Sequence, residues 1–400
     1  MQLNTQPLRL SVAAMVSVLS LVPTALTTTA SSSSILSPGA VFTETNQPFG
    51  NFVLAFQRTA QGTLTLVQSV PTGGIGSPVN PPLGIPDLDS EGAVQLASDG
   101  DNKACLFAVN AGSNTVSSFA VNPKGLSLAD QEPTGNHPIS LTSNQIGPNR
   151  LVLYVLNSSA GSSSIEGYYV SGSCTLTPIP GSFRATTSPE SLPAHIAFNQ
   201  HGQVLTVSER ITASGGDLDV FPVDSNGVVG APMAQPSAGQ EPYGMAWNNA
   251  DILAVANQGG ADPAGSTITT YQLTNDDTLV PLSTAPSPGA ACCDVFTDNG
   301  SFLYVTNPLA QESGGSSVTA YAVSPDGTLT LVDTQTTTYN AVQDAVSHDS
   351  KYLYVLSDQV IPPGPAAEIT AYSIDREAGT LTQIQELQLS GNSFSGLAAW

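Results

Sequence analysis

"YVTNPLAQESGGSSVTAYAVSPDGTLTLVD", Tyr304–Asp333, is the stretch on which the fold is decided. An apolar run stops at Asn307. A polar loop leads into the alternating "SVTAYAV", and "SPDG" turns the chain back into "TLTLV". Alternation with period two marks half-buried strands, and Gly supplies the positive φ that a tight hairpin turn requires. Nearly the same pattern stands upstream in "FAVNAGSNTVSSFAVNPKGLSLAD", Phe107–Asp130.

The pattern returns along the whole chain. The residue ending the apolar run is read as Asn46, Asn110, Asn157, Ser208, Asn257, Asn307 and Ser357. Each is followed by an alternating strand, from "NFVLAF" in the first copy to "AEITAYSI" in the last, then by a turn and another strand. A further strand precedes most copies, as in "EGAVQLAS", "PAHIAFNQ" and "PYGMAWNN". Four antiparallel strands recurring roughly every 50 residues are the blades of a propeller. Seven copies predict an all-β, seven-bladed β-propeller of four-stranded antiparallel blades.

With the strands of each blade labelled A to D from the axis outward, the first copy opens at strand B, "AVFTETN", and lacks strand A. The chain ends in "SFSGLAAW", Ser393–Trp400, which matches the missing strand. The C-terminus is therefore expected to complete blade 1 and close the ring, which removes two open sheet edges. The organisation read from the sequence is a signal peptide over 1–30, a linker over 31–40 and a single propeller domain over 41–400.

Composition narrows the partners. Lys and Arg total 9 against 31 Asp and Glu, for a net charge of -22. Phosphate backbones and anionic membrane surfaces need cations, so neither nucleic acid nor a membrane is an expected partner. A small-molecule substrate, or an extracellular protein or glycan, remains. A monomer without a cofactor is expected. "LRLSVAAMVSVLSLVPTAL" carries one Arg before an apolar stretch interrupted by Pro23, and small residues follow. This is the pattern of a secretory signal, with cleavage between Ala25 and Ala30. Export exposes Cys105, Cys174, Cys292 and Cys293 to oxidation, and their spacing leaves three pairings open. Vicinal cysteines rarely bond each other, so Cys292 or Cys293 is expected to pair elsewhere or stay buried. Asn157 ("NSS") and Asn299 ("NGS") are potential glycosylation acceptors.

"FAVNAGSNTVSSFAV", "PAHIAFNQHGQVLTVSER", "PSAGQEPYGMAW" and "SPDGTLTLVDT" resemble the secreted branch of the lactonase-type seven-bladed propellers, a group with 6-phosphogluconolactonase-like and 3-carboxymuconate-cyclase-like members. The likeness spans Val41 to Trp400. It implies a channel-mouth site for a small lactone or carboxylic acid, and in cyclase-type members a metal-free set of His, Glu and Arg.

Propeller ligands usually sit where the D–A connections and B–C loops meet. His137, His195, Glu209, Arg210, Glu241 and Arg184 fall in or beside such segments, whereas His201 and His348 fall in A–B turns. His195, Glu209 and Arg210 are the candidate catalytic residues, with His137, Glu241 and Arg184 as candidate substrate ligands. A base for water and a donor for the oxyanion serve lactone hydrolysis; an Arg for the carboxylate serves muconate cyclisation. Asp294 and Asp344 align near the start of strand A in consecutive blades and are weak metal candidates, against two carboxylates standing in water. The excess of negative charge favours a neutral or monoanionic lactone over a phosphorylated one. The insertion Pro71–Ser90 is a D–A connection expected to overhang the mouth. The competing reading is a non-catalytic extracellular propeller, antigen- or adhesin-like, that binds protein or glycan.

Mass spectrometry of the exported protein should find an N-terminus between residues 26 and 31. An intact Met1–Leu26 would contradict the secretory reading.

Overall fold

The computed structural model describes residues 37–77, 88, 90–98, 104–122, 124–147, 150–260, 262–310, 315–358, 366–391 and 393–400. They form seven antiparallel sheets of four strands each; in the third, the outermost strand is split into Leu176–Pro178 and Arg184–Ala185. Strand A of blades 1 to 7 is Ser395–Ala399, Val94–Ser98, Pro138–Gln145, Pro193–Phe198, Pro242–Trp247, Asp294–Phe296 and Asn340–Val346. Residues 1–30, read from the sequence as a signal peptide, and most of the insertion lie outside the described residues.

Burial follows position in the blade. Strand B of blade 6, Phe302–Asn307, is buried along its length. It is sandwiched by neighbouring blades on both faces, so it reads as a continuous apolar run. Strand D of the same blade, Leu329–Thr336, keeps mostly its first residue buried, because it forms the rim.

The cores lie between blades. One cluster joins Phe302, Tyr304 and Val318 of blade 6 to Leu353, Val355 and Tyr372 of blade 7. Tyrosines in the repeat stitch the same seams. Tyr154, Tyr304 and Tyr354, all on strand B, donate to the carbonyls of Gly227, Gly379 and Gly62 in the C–D turn of the next blade, at 2.7, 3.0 and 3.0 Å. Tyr168 and Tyr321 on strand C reach back to Pro133 and Pro286 of the preceding blade, at 2.6 and 2.8 Å. The repeat thus carries both the aromatic and the turn that receives it.

Strand register corrects two positions of the sequence reading. Asn110, Asn157, Asn257 and Asn307 pair with the start of strand C, as read. In blade 4 the equivalent residue is Glu209, paired with Asp217, and not Ser208. In blade 1 it is Thr45, whose N–H donates to Phe52, and not Asn46. The Asn amide works as a local tie: in Asn307 it donates to Val305 O and Thr319 Oγ1 while its oxygen accepts from Ser287.

The ring closes as the sequence implies. Ser395–Ala399 pairs with Ala40–Glu44, with Phe42 opposite Ala398, and Thr43 Oγ1 donates to Gly396 O at 2.7 Å. Blade 7 and blade 1 share a core containing Val41, Phe56, Tyr354, Ile369 and Leu397. Beside this seam the buried Arg58 donates to Pro38 O at 2.6 Å, lies 3.5 Å from Asp349 and covers the Tyr352 ring.

Removing Ser393–Trp400 should therefore leave blade 1 with an open inner edge and strip cover from Phe42 and Phe56. The expected outcome is aggregation, or a melting temperature lowered by more than 10 degrees or so, because a ladder and a core are lost together. Cooperative melting at the full-length temperature would contradict the closure.

Candidate active site

An innermost strand has a ladder partner on one side only, and its other edge faces the channel. Here the chain itself fills that space. Ser90–Ala93, the end of the connection into blade 2, crosses the channel and bonds to several blades. Ser90 Oγ donates to Ile139 O and Leu141 N–H donates to Gly92 O, both at 2.8 Å, in blade 3. Glu91 N–H donates to Ala194 O of blade 4 at 3.2 Å. Gln343 of blade 7 donates to Ser90 O at 2.6 Å.

This crossing carries Glu91 to His195. Glu91 Oε2 lies 3.3 Å from His195 Nδ1, and the Met245 N–H is shared between them at 3.1 Å from Nδ1 and 3.3 Å from Oε2. His195 is 8% exposed, and desolvation drives its pKa down to about 3, so the ring is neutral. An Nδ1 that accepts leaves the ring hydrogen on Nε2. Burial holds the Glu91 carboxyl well above its ordinary range, reinforced by Asp294, Asp344 and Cys292. With the His195 ring neutral, the contact is not an ion pair. Gly92 permits the close approach: its φ is +78°, and a Cβ there would stand 3.0 Å from His195 Nε2.

Asp294 and Asp344 occupy the same register in blades 6 and 7, opposite Val305 and Val355. They do not stand in water. They are 2% and 7% exposed, and their oxygens lack hydrogen bonds of good geometry. Desolvation pushes both carboxyls well above their ordinary range, with Asp344 adding to the shift of Asp294. A Cβ on Gly244 would collide with Glu91 Oε2 and stand 2.9 Å from Asp294 Oδ1, so the two carboxyls converge over one glycine. Among the described residues no three His, Cys, Asp or Glu side chains are placed to hold a metal ion.

His195 borders a cavity of about 260 Å³. Its wall includes Gln95, Thr142, Asn144, Phe198, Gln200 and Trp247, and no Lys or Arg among the described residues. These residues belong to the A–B half of strands A and to an A–B turn, so the cavity lies toward the face opposite the expected mouth. On the mouth side, Ala194, Tyr243, Cys292 and Cys293 pack into an apolar cluster.

The other candidates do not join His195. Glu209 is fully buried and accepts from Ser188 N–H, Thr187 Oγ1 and Ser191 Oγ at 2.8, 2.7 and 3.1 Å, which fixes the connection into blade 4. Arg210 covers the Tyr243 ring and donates to Gln258 at 3.1 Å. His137 and Glu241 hold equivalent places before Pro138 and Pro242, both with positive φ, and their backbones tie neighbouring B–C loops. His137 is partly desolvated, which lowers its pKa. Arg184 is a correction: it lies on the outermost strand of blade 3 and donates to Gly181, Phe183 and Gly230 carbonyls, far from the axis in the blade order. Asn157 is buried with its amide on Glu166, whereas Asn299 is exposed in an A–B turn. Cys105 bonds Cys174 across blades 2 and 3, which selects one pairing, and Cys292 and Cys293 stay buried and free.

Residues 266–394 match the family model described as lactonase, 7-bladed beta-propeller. No curated protein matches the chain. Among solved structures, a putative 6-phosphogluconolactonase from Bacteroides fragilis is 20% identical with a TM-score of 0.62, over 90% of this chain and 98% of that one. The periplasmic gluconolactonase of Pseudomonas aeruginosa is 15% identical with a TM-score of 0.63, over 90% and 98%. A Lactobacillus plantarum protein is 14% identical with a TM-score of 0.66, over 90% and 99%. At these identities the likeness is one of fold. The propeller places Glu91 at its axis, a residue that sequence reasoning passes over. Its signal is a carboxylate standing directly before "GAVQLAS", at the end of the insertion.

Asp219 gives a pH test of the buried carboxyls. Desolvation and then the charge of Glu209 push it up to about 7, against hydrogen bonds from Thr187. A raised carboxyl contributes stability that is complete below its unfolded value near 4 and lost as pH rises through the folded value. The melting temperature should therefore fall between pH 5 and pH 8, and Asp219→Asn should narrow that fall. An unchanged gap in the variant would contradict the assignment.

Proposed function

We propose that this lactonase-type propeller is a secreted hydrolase of a small, uncharged lactone, bound in the cavity beside His195. The observation that carries the reading is the Glu91–His195 contact of 3.3 Å at the border of a polar cavity in the channel. Paired groups whose surroundings displace their proton affinities in opposite directions mark acid–base sites. Glu91 and His195 would manage the proton that leaves the attacking water and later reaches the ring oxygen as the lactone opens. The ring opens to a hydroxy acid, and no Lys or Arg among the described residues of the cavity wall holds the new carboxylate, which favours its release.

Charge argues against two alternatives. Among the described residues the cavity wall has no Lys or Arg to hold a phosphate or the carboxylate of a muconate. Arg210, the residue suited to cyclisation, is engaged with Tyr243 and Gln258. Export is supported by the N-terminal pattern and by the Cys105–Cys174 bond.

A panel of neutral and phosphorylated aldonolactones tests this. Neutral lactones should be hydrolysed faster than their phosphorylated forms. Glu91→Gln should lower kcat about 100-fold or more with little change in melting temperature. His195→Ala should lose activity and also melt lower, since a buried ring is removed and the Met245 N–H keeps only Glu91 of its two acceptors. Faster hydrolysis of phosphorylated forms, or full activity in Glu91→Gln, would overturn the assignment, and absence of any lactone turnover would leave a binding module.

A further inference from the structure

The apolar cluster above the carboxyls contains two sulfurs. Cys292 and Cys293 are 5% and 0% exposed, and their Sγ atoms stand 3.6 Å apart. Both approach the same carbonyl, Val342 O of blade 7, at 3.8 and 2.9 Å. Their backbone is held on two sides. Cys292 N–H donates to Thr306 O and Cys292 O accepts from Gly244 N–H of blade 5, at 2.9 and 2.8 Å. Cys293 N–H donates to Thr306 Oγ1 at 3.0 Å. The pair therefore sits where blades 5, 6 and 7 meet, directly before Asp294 and one residue from the level of Gln343.

We propose that Cys292 and Cys293 are a modification site, a vicinal dithiol that closes to a disulfide and thereby releases the sulfur contact between blade 6 and blade 7. Three observations lead there. The sulfurs already lie side by side, and closing to bonding distance, about 2.0 Å, also turns the Cys292–Cys293 peptide, because adjacent Cα atoms stand closer than those of an ordinary disulfide. No other cysteine is in reach, because Cys105 and Cys174 are bonded to each other. That same bond shows that the chain is built to hold disulfides, so an oxidant of the same class is the natural reactant.

The co-reactant is a low-molecular-weight disulfide. The Cys292 thiolate attacks one of its sulfurs and expels a thiolate, leaving a mixed disulfide on Cys292. Cys293 then attacks the Cys292 sulfur and expels the second small thiolate. The protein loses two hydrogens as protons and two electrons; the small disulfide gains both and becomes two thiols. Cys292 is the entry point because it retains slight exposure. Burial, and then Cys292 itself, hold the Cys293 thiol well above its ordinary range.

The structural consequence follows from the donor. As a thiol, Cys293 donates to Val342 O, two residues before Asp344. A disulfide sulfur has no hydrogen to donate. Strand A of blade 7 then loses this tie beside Gln343, which holds Ser90 and the crossing segment.

The test uses the intact protein, equilibrated with oxidised glutathione and then unfolded with an alkylating reagent. Peptide mapping should show the segment containing both cysteines lighter by two hydrogens and unalkylated, with Cys105–Cys174 retained. Amide exchange in Asn340–Val346 should be several-fold faster than in protein never exposed to oxidant. Two alkylated thiols after equilibration, or either cysteine linked to glutathione, to Cys105 or Cys174, or to a second chain, would overturn the proposal. A vicinal bond with unchanged exchange would overturn its structural consequence.

Discussion

The constraint on which this molecule rests is the inner edge of each blade. Strand A pairs with strand B and turns its other edge to the axis, where unpaired amide and carbonyl groups would be buried without partners. In this propeller, Ser90–Ala93 crosses the axis, answers part of that demand in blades 3 and 4, and is itself held by the Gln343 side chain of blade 7. The crossing is possible because Gly92 adopts positive φ and presents no side chain to His195. One backbone segment thus both bonds the inner edges of two blades and sets Glu91 against His195.

Everything chemical in the channel follows from that placement. Glu91, Asp294 and Asp344 are buried together in a chain whose net charge is -22. Structure alone has no use for such a cluster, since each carboxyl resists losing its proton and none is answered by a Lys or Arg among the described residues. Arrangements that oppose stability concentrate where function requires them. The same excess of negative charge weighs against phosphorylated ligands and, with a wall of amides, hydroxyls and Trp247, favours neutral polar ones.

The fold was legible because it is written seven times. Period-two alternation, the Asn at the end of strand B and the Gly of the C–D turn all repeat, and they repeat because Tyr304 of one blade needs Gly379 of the next. Register was less legible. Glu209 replaces the Asn of other blades, and in sequence its neighbour Ser208 looks the closer match, although the ladder with Asp217 identifies Glu209. The site was legible only at His195. Glu91 comes from another blade and arrives through an insertion that has no counterpart in the repeat. Arg184, beside the next connection in sequence, is carried to the rim because the outer strand of blade 3 is split. The cavity lies toward the A–B turns because side chains and the crossing segment occupy the opposite half, and packing of that kind leaves no mark in a local motif.

The most direct measurement is a nitrogen-resolved NMR titration of the four histidine rings. The account predicts that His195 stays neutral at pH 5 with its hydrogen on Nε2, and that Glu91→Ala perturbs its Nδ1 signal while leaving the exposed His201 ring unchanged. A His195 ring that protonates near pH 6.5, or that carries its hydrogen on Nδ1, would contradict the Glu91–His195 arrangement on which the functional reading stands.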